Sequence, residues 1–164
     1  MFTTETDAVV AGNARYAGDH RDSALPARPA RKLAVVTCMD ARLDVLPMLG
    51  LDIGDAHIIR NAGGVVTEDV IRSLSISQRL LGTRAVALVH HSGCGMLTVT
   101  EDFRRSLQDE VGMRPAWAVE AFTDLESDVR QSLARVRTSP FLMDVDDVRG
   151  FVLDLASGRL EEVR

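Results

Sequence analysis

The chain has 164 residues, 46% of them hydrophobic and 26% charged, with a formal net charge of −5. That size and balance suit a single soluble domain over residues 1–164, and they disfavour a nucleic-acid partner, whose phosphates call for a basic surface. No apolar stretch has membrane-spanning length, and the N-terminus lacks the basic-then-apolar order of a secretory leader, so a cytoplasmic protein with no membrane partner is expected.

Helical spacing of Val9, Val10, Asn13 and Tyr16 predicts a helix from about Thr4 to Tyr16, with Thr4 or Thr3 as its cap. The following "DHRDSALPARPARK" contains Pro26 and Pro29 and is expected to be an extended connector. "KLAVVTC" is a short, unbroken apolar run of the kind found in strands buried on both faces of a parallel sheet. "AHIIRNAGG" predicts a second strand that ends in a glycine turn. "TEDVIRSLSISQRLLG" has the pattern of an amphipathic helix, capped by Thr67 and stopped by Gly82, with Val70, Ile71, Leu74 and Leu81 on its apolar side. "RAVALVHHSGCG" is a third apolar strand. Two more helices are expected near Thr98 to Glu110 and Trp117 to Val136, and "RGFVLDLASGRLEEV" predicts two extended pieces around Ser157-Gly158. Alternation of strand and helix gives an α/β fold: a mainly parallel central β-sheet flanked by helices, with an extended N-terminal helical arm over residues 1–30. An arm of this kind can pack on a partner subunit.

Ligands of such sheets bind at the carboxyl ends of strands, which is where Cys38 and the His91–Cys94 segment fall. His91 and Cys94 stand three apart across a turn that Gly93 makes flexible. Cys38, Asp40 and Arg42 occupy alternate positions and would share one side if extended geometry persists that far. Two thiolates, one imidazole and a carboxylate or water make a plausible tetrahedral zinc site. Among the other candidates, His57 is read as structural. His90 should point to the face opposite His91, as a hydrogen-bonded core or interface histidine. Trp117 and the methionines are assigned to packing, and Arg104 and Arg105 to a solvated helix face.

Cys38-Met39-Asp40-Ala41-Arg42, followed by His91-Ser92-Gly93-Cys94-Gly95, together with the segment Arg60 to Gly64, resembles the β-class carbonic anhydrases, most of all the short bacterial members. The resemblance runs from the N-terminal helix to the terminal "GFVLDLASGRLEEV". It implies one zinc ion per subunit held by Cys38, His91 and Cys94. Asp40 would be either the fourth ligand in a closed state or, once released, the hydrogen-bond partner of the zinc-bound nucleophile, and Arg42 the group that pulls Asp40 off the metal. The implied reaction is reversible hydration of carbon dioxide to bicarbonate and a proton by zinc-bound hydroxide oriented by the Asp40–Arg42 pair. The resemblance also implies that Asn61, Ala62, Gly63 and Gly95 border the substrate pocket, and that the protein is a homodimer or a higher homo-oligomer. Related short members often carry an acidic residue where this chain has Gly93. No residue stands out as a proton shuttle, for which His57 and His90 are candidates by type alone. Two alternatives keep the zinc: a hydrolase of carbon disulfide or carbonyl sulfide, and a non-catalytic zinc-binding scaffold. The scaffold reading has no use for Asp40 and Arg42.

Overall fold

In the computed structural model, which describes residues 4–20 and 24–164, strands β1 (Leu33–Cys38), β2 (Ala56–Asn61), β3 (Ala85–His91), β4 (Asp147–Leu153) and β5 (Leu160–Val163) form one sheet. Their order is β2-β1-β3-β4-β5, parallel except for the antiparallel β4–β5 pair. The chain leaves β1 towards β2 on one side and returns to place β3 on the other. β1 and β3 therefore flank the point where the winding direction reverses, which is where open α/β sheets bind their ligands.

Helix α1 spans Glu5–Asp19, α2 Val45–Met48, α3 Glu68–Leu81, α4 Glu101–Val111 and α5 Leu125–Thr138. Thr4 caps α1 in a reciprocal box with Asp7. Thr3, the alternative cap, lies outside the described residues, as do residues 21–23 of the connector. Thr67 caps α3 by accepting from the Val70 N–H, and Gly82 ends it at φ +77. The four-residue α2 has no sequence signal, since one turn is too short for periodicity.

The last long helix is shorter than the sequence predicts. It begins at Leu125, where the Asp124 side chain accepts from the Ser127 N–H. Residues 117–124 have no helix, and Glu120 sits at φ +56, which a right-handed helix cannot accommodate. Trp117, in that irregular segment, is exposed rather than packed, and so are Met39, Met113 and Met143. Arg104 is not a solvated side chain either. It donates twice to the Pro115 carbonyl and ties α4 to the loop that follows. Arg105 is exposed beside Asp102, as expected.

Strand alternation sorts the core into two halves. Ala34, Val36, Val86, Leu88 and Val148 pack against Val70 and Leu74 of α3 and Val129, Leu133 and Val136 of α5. Val35, Val89 and Leu153 face the other way, onto Leu43, Val45, Leu51, Val65 and Phe122, and Cys38 and Cys94 belong to this second half. Helices α3 and α5 thus cover one face, whereas short α2 and loops cover the face that holds the cysteines. Among the described residues no helix is long and apolar enough to cross a membrane. The apolar side chains Val9, Val10 and Tyr16 of α1 are exposed.

Gly150 on β4 sets the distance of α5 from the sheet, because a Cβ there would run into Val129 Cγ1 and press on Leu133. Gly150→Ala is therefore expected to lower the unfolding free energy by about 1–3 kcal/mol through overpacking, with the denaturant midpoint as the measure; an unchanged midpoint would show that α5 can shift freely.

Candidate metal centre

Cys38 ends β1 and His91 ends β3, one on each side of the point where the winding reverses. A turn at Ser92–Gly93 brings Cys94 back beneath them, with Gly93 at φ +64. The ligand atoms of Cys38, His91 and Cys94 all lie within 4.8 Å of one another, and all three residues are buried. The two sulfurs are 3.9 Å apart. Two thiolates sharing a tetrahedral ion at ~2.3 Å bonds would sit about 3.8 Å from each other, so the spacing fits zinc.

The imidazole fits as well. His91 Nδ1 lies 3.0 Å from the Ser92 carbonyl oxygen, which can only accept, so Nδ1 carries the proton. Nε2 is left as a lone pair, buried and without a hydrogen bond among the described residues. A buried acceptor with no donor is costly, and a cation shared with two sulfurs removes that cost. Burial pushes the Cys94 thiol up to about 11, with the Cys38 sulfur adding to the rise and the Met96 N–H opposing it. A neutral thiol of this kind becomes a thiolate where a metal ion compensates its charge.

Asp40 stands beside this group. The extended geometry does not persist to Arg42. β1 stops at Cys38, and a turn follows in which Leu43 N–H donates to the Asp40 carbonyl and Arg42 N–H to Asp40 Oδ1. The turn curls the Arg42 guanidinium back onto its neighbour, with Nε to Oδ1 at 2.9 Å and Nη2 to Oδ2 at 2.6 Å. This bidentate pairing comes first among the causes that hold the Asp40 carboxyl far below the usual carboxylate range, and the Arg42 backbone N–H adds to it. Asp40 Oδ2 lies 3.7 Å from His91 Nε2, near the ligands yet engaged with Arg42. Arg42 Nη2 also donates to the Gly93 carbonyl, joining the loop after Cys38 to the one before Cys94.

Of the pocket residues, Asn61 closes β2 opposite Cys38 and donates to the Val65 carbonyl, while its Oδ1 is buried without a partner among the described residues. Ala62, Gly63 and Gly64 form a single 3-10 turn with Gly63 at φ +83. A Cβ on Gly64 would meet the backbone of Thr37 and Cys38 at 2.9 Å, so only glycine lets this turn lie against the end of β1. Gly95 opens a second 3-10 turn, Gly95–Leu97, which touches the first. Arg60 has a larger part than its place in a family-like segment suggested. Its guanidinium donates to the carbonyls of Cys38 at 2.9 Å, Asp40 at 2.7 Å and Leu43 at 3.4 Å, fastening the whole Cys38–Leu43 turn to β2. No local pattern marks such a clamp, because its acceptors are backbone atoms.

The other histidines lie elsewhere. His57 bonds Ser77 Oγ and the Ala27 carbonyl, a structural tie between β2, α3 and the connector. His90 faces α5 and meets Asp128 Oδ2 at 2.6 Å, fully buried, on the side of the sheet opposite His91.

Comparison with known proteins agrees with this geometry. Residues 33–137 match the family model for carbonic anhydrase. The chain is 55% identical over 161 residues to β-carbonic anhydrase 1 of Mycobacterium tuberculosis, covering 98% of each chain. A crystal structure of carbonic anhydrase from Streptococcus mutans superposes with a TM-score of 0.92 at 40% identity, covering 100% of both chains. A carbon disulfide hydrolase of Acidithiobacillus thiooxidans is 30% identical over 152 residues, 79% of this chain and 76% of that one. With its fold, its ligand cluster and these likenesses together, the chain belongs to the β-class of the carbonic anhydrase family.

Proposed function

We propose that this chain catalyses the reversible hydration of carbon dioxide to bicarbonate and a proton, with Cys38, His91 and Cys94 holding one zinc ion per subunit and Asp40 and Arg42 as the catalytic pair. The observation that carries this reading is the buried, unshared Nε2 of His91 facing two thiols, with an ionised carboxylate at its edge. A zinc ion held there would acidify water, supplying a nucleophile near neutral pH for a weak electrophile.

The chain's own residues do the rest. Asp40, kept ionised by Arg42, can only accept hydrogen bonds, and its lone pairs not used by Arg42 would accept one from the O–H of the nucleophile. A hydrogen bond accepted there would orient the attacking lone pair towards the carbon of the substrate. Arg42 fixes the carboxylate's direction and keeps it off the ligand set. Asn61, Ala62, Gly63 and Gly95 would border the substrate, a reading supported by the contact between their two turns.

Likeness to a carbon disulfide hydrolase favours one further reading, in which the same residues serve carbon disulfide or carbonyl sulfide. The exposed apolar side chains of α1, with Phe103 and Val111 of α4, support assembly into a homodimer or larger homo-oligomer. A cytoplasmic setting would keep the two free cysteines reduced.

Asp40→Asn should leave zinc content near one per chain and lower carbon dioxide hydration by about 10²-fold or more, read by stopped-flow indicator assay across pH with metal content measured on the same sample. Near-normal turnover would refute the role of Asp40, and parallel assays of wild type with carbon disulfide and carbonyl sulfide decide the substrate. Arg60→Met, which keeps the length and removes the donors, should cost about 2–4 kcal/mol of stability and weaken zinc retention, read by thermal melting and chelator competition; a variant that melts and binds like wild type would show the clamp to be idle. Analytical ultracentrifugation should find a dimer or larger assembly, and a monomer at every concentration would count against the interface.

A further inference from the structure

We propose that Asp154, at the turn between β4 and β5, is a positioning residue that acts through Ser92 to fix the loop presenting His91 and Cys94 to metal. This rests on the zinc reading above. Asp154 lies beyond residue 137, where the match to the family model ends.

Ser92 directly follows His91 in the loop that leads to Cys94, and it is held at three points by the hairpin. Its N–H donates to the Leu153 carbonyl at 2.8 Å. Its Oγ accepts from the Leu155 N–H at 2.9 Å. With that lone pair taken, the hydroxyl proton goes to Asp154 Oδ2 at 3.2 Å. Asp154 is in turn held from its other oxygen, where Oδ1 accepts from the Ser157 N–H at 2.8 Å and the Ser157 hydroxyl at 2.7 Å. These bonds, those of Ser157 before that of Ser92, keep its carboxyl below the usual range, so it is an acceptor.

Ser92 passes the constraint on. Its carbonyl is the acceptor for His91 Nδ1, so a Ser92 that cannot move sets both the tautomer and the plane of the imidazole. Gly93 follows directly, exposed, at positive φ and with open space around its Cα. A glycine at that place would let the loop wander, and the latch on Ser92 confines the freedom to its far side.

The test compares Ser92→Ala, Ser92→Thr, Asp154→Ala, Asp154→Asn and the double variant Ser92→Ala/Asp154→Ala with wild type. Two quantities are read: the zinc dissociation constant by chelator competition, and the visible absorption of the protein saturated with cobalt(II), which reports ligand geometry. Ser92→Ala and Asp154→Ala should each weaken zinc about 10–100-fold and alter the cobalt bands. Ser92→Thr, which keeps the hydroxyl, should restore both. The double variant should be no worse than the weaker single one, since both cut one chain of bonds. Unchanged affinity with unchanged cobalt bands in Asp154→Ala, a lower melting temperature with unchanged bands, or additive losses in the double variant would overturn the proposal. If Asp154→Ala does not fold, Asp154→Asn and the two Ser92 variants decide it on the same readings. Wild type that takes up no zinc would overturn the underlying reading; wild type that binds while every variant binds equally would overturn this inference alone.

Discussion

Two sulfurs and an imidazole nitrogen share a few ångströms of buried interior, and the nitrogen has no hydrogen-bond partner among the described residues. A core could have placed alanine or valine at these positions at no such cost. The surrounding structure is arranged to tolerate the unpaired nitrogen: one ring nitrogen is anchored to a carbonyl, and the charged Asp40 beside it is neutralised by Arg42 before it can approach. The site sets one unshared nitrogen against two thiols, beside a carboxylate that already has its partner.

That arrangement follows from topology. The order β2-β1-β3 places the reversal of winding between the two strands that end in Cys38 and His91. Right-handed crossovers then send α3 and α5 to the same face and leave the other to short α2 and turns. Period-two alternation does the final sorting: of two adjacent histidines, His90 goes to the helix-covered face and finds Asp128, and His91 goes to the thinly covered face and finds the thiols. One residue of slip in β3 would exchange them.

Much of this was legible in the sequence because it rests on local chemistry. The apolar runs of β1 and β3, the Thr67 and Gly82 bounds of α3 and the hairpin around Ser157-Gly158 all carry their own signals. The meeting of Cys38, His91 and Cys94 was legible because thiols and imidazole at strand ends have few other uses. What could not be read depends on partners distant in the chain. Alternation was the wrong reason for the convergence of Asp40 and Arg42, which a turn after Cys38 brings together. Arg60 works through three backbone carbonyls, and the segment from Trp117 to Asp124 gave a helical pattern that Glu120 and the Asp124 cap override. Residue type assigns Trp117 to packing, and its exposure is set by that irregular path.

The pairing of His91 with Leu153 has a bearing on how the molecule is made. Cys38, His91 and Cys94 all precede the partner strand on the ribosome, and sixty residues separate Cys94 from Asp154. At about 5–20 residues per second, the nascent chain would carry its thiols for roughly 3–12 s before β4 and the turn after it arrive to steady their loop. Synthesis therefore leaves an interval in which both thiols have emerged and the turn that latches Ser92 has not.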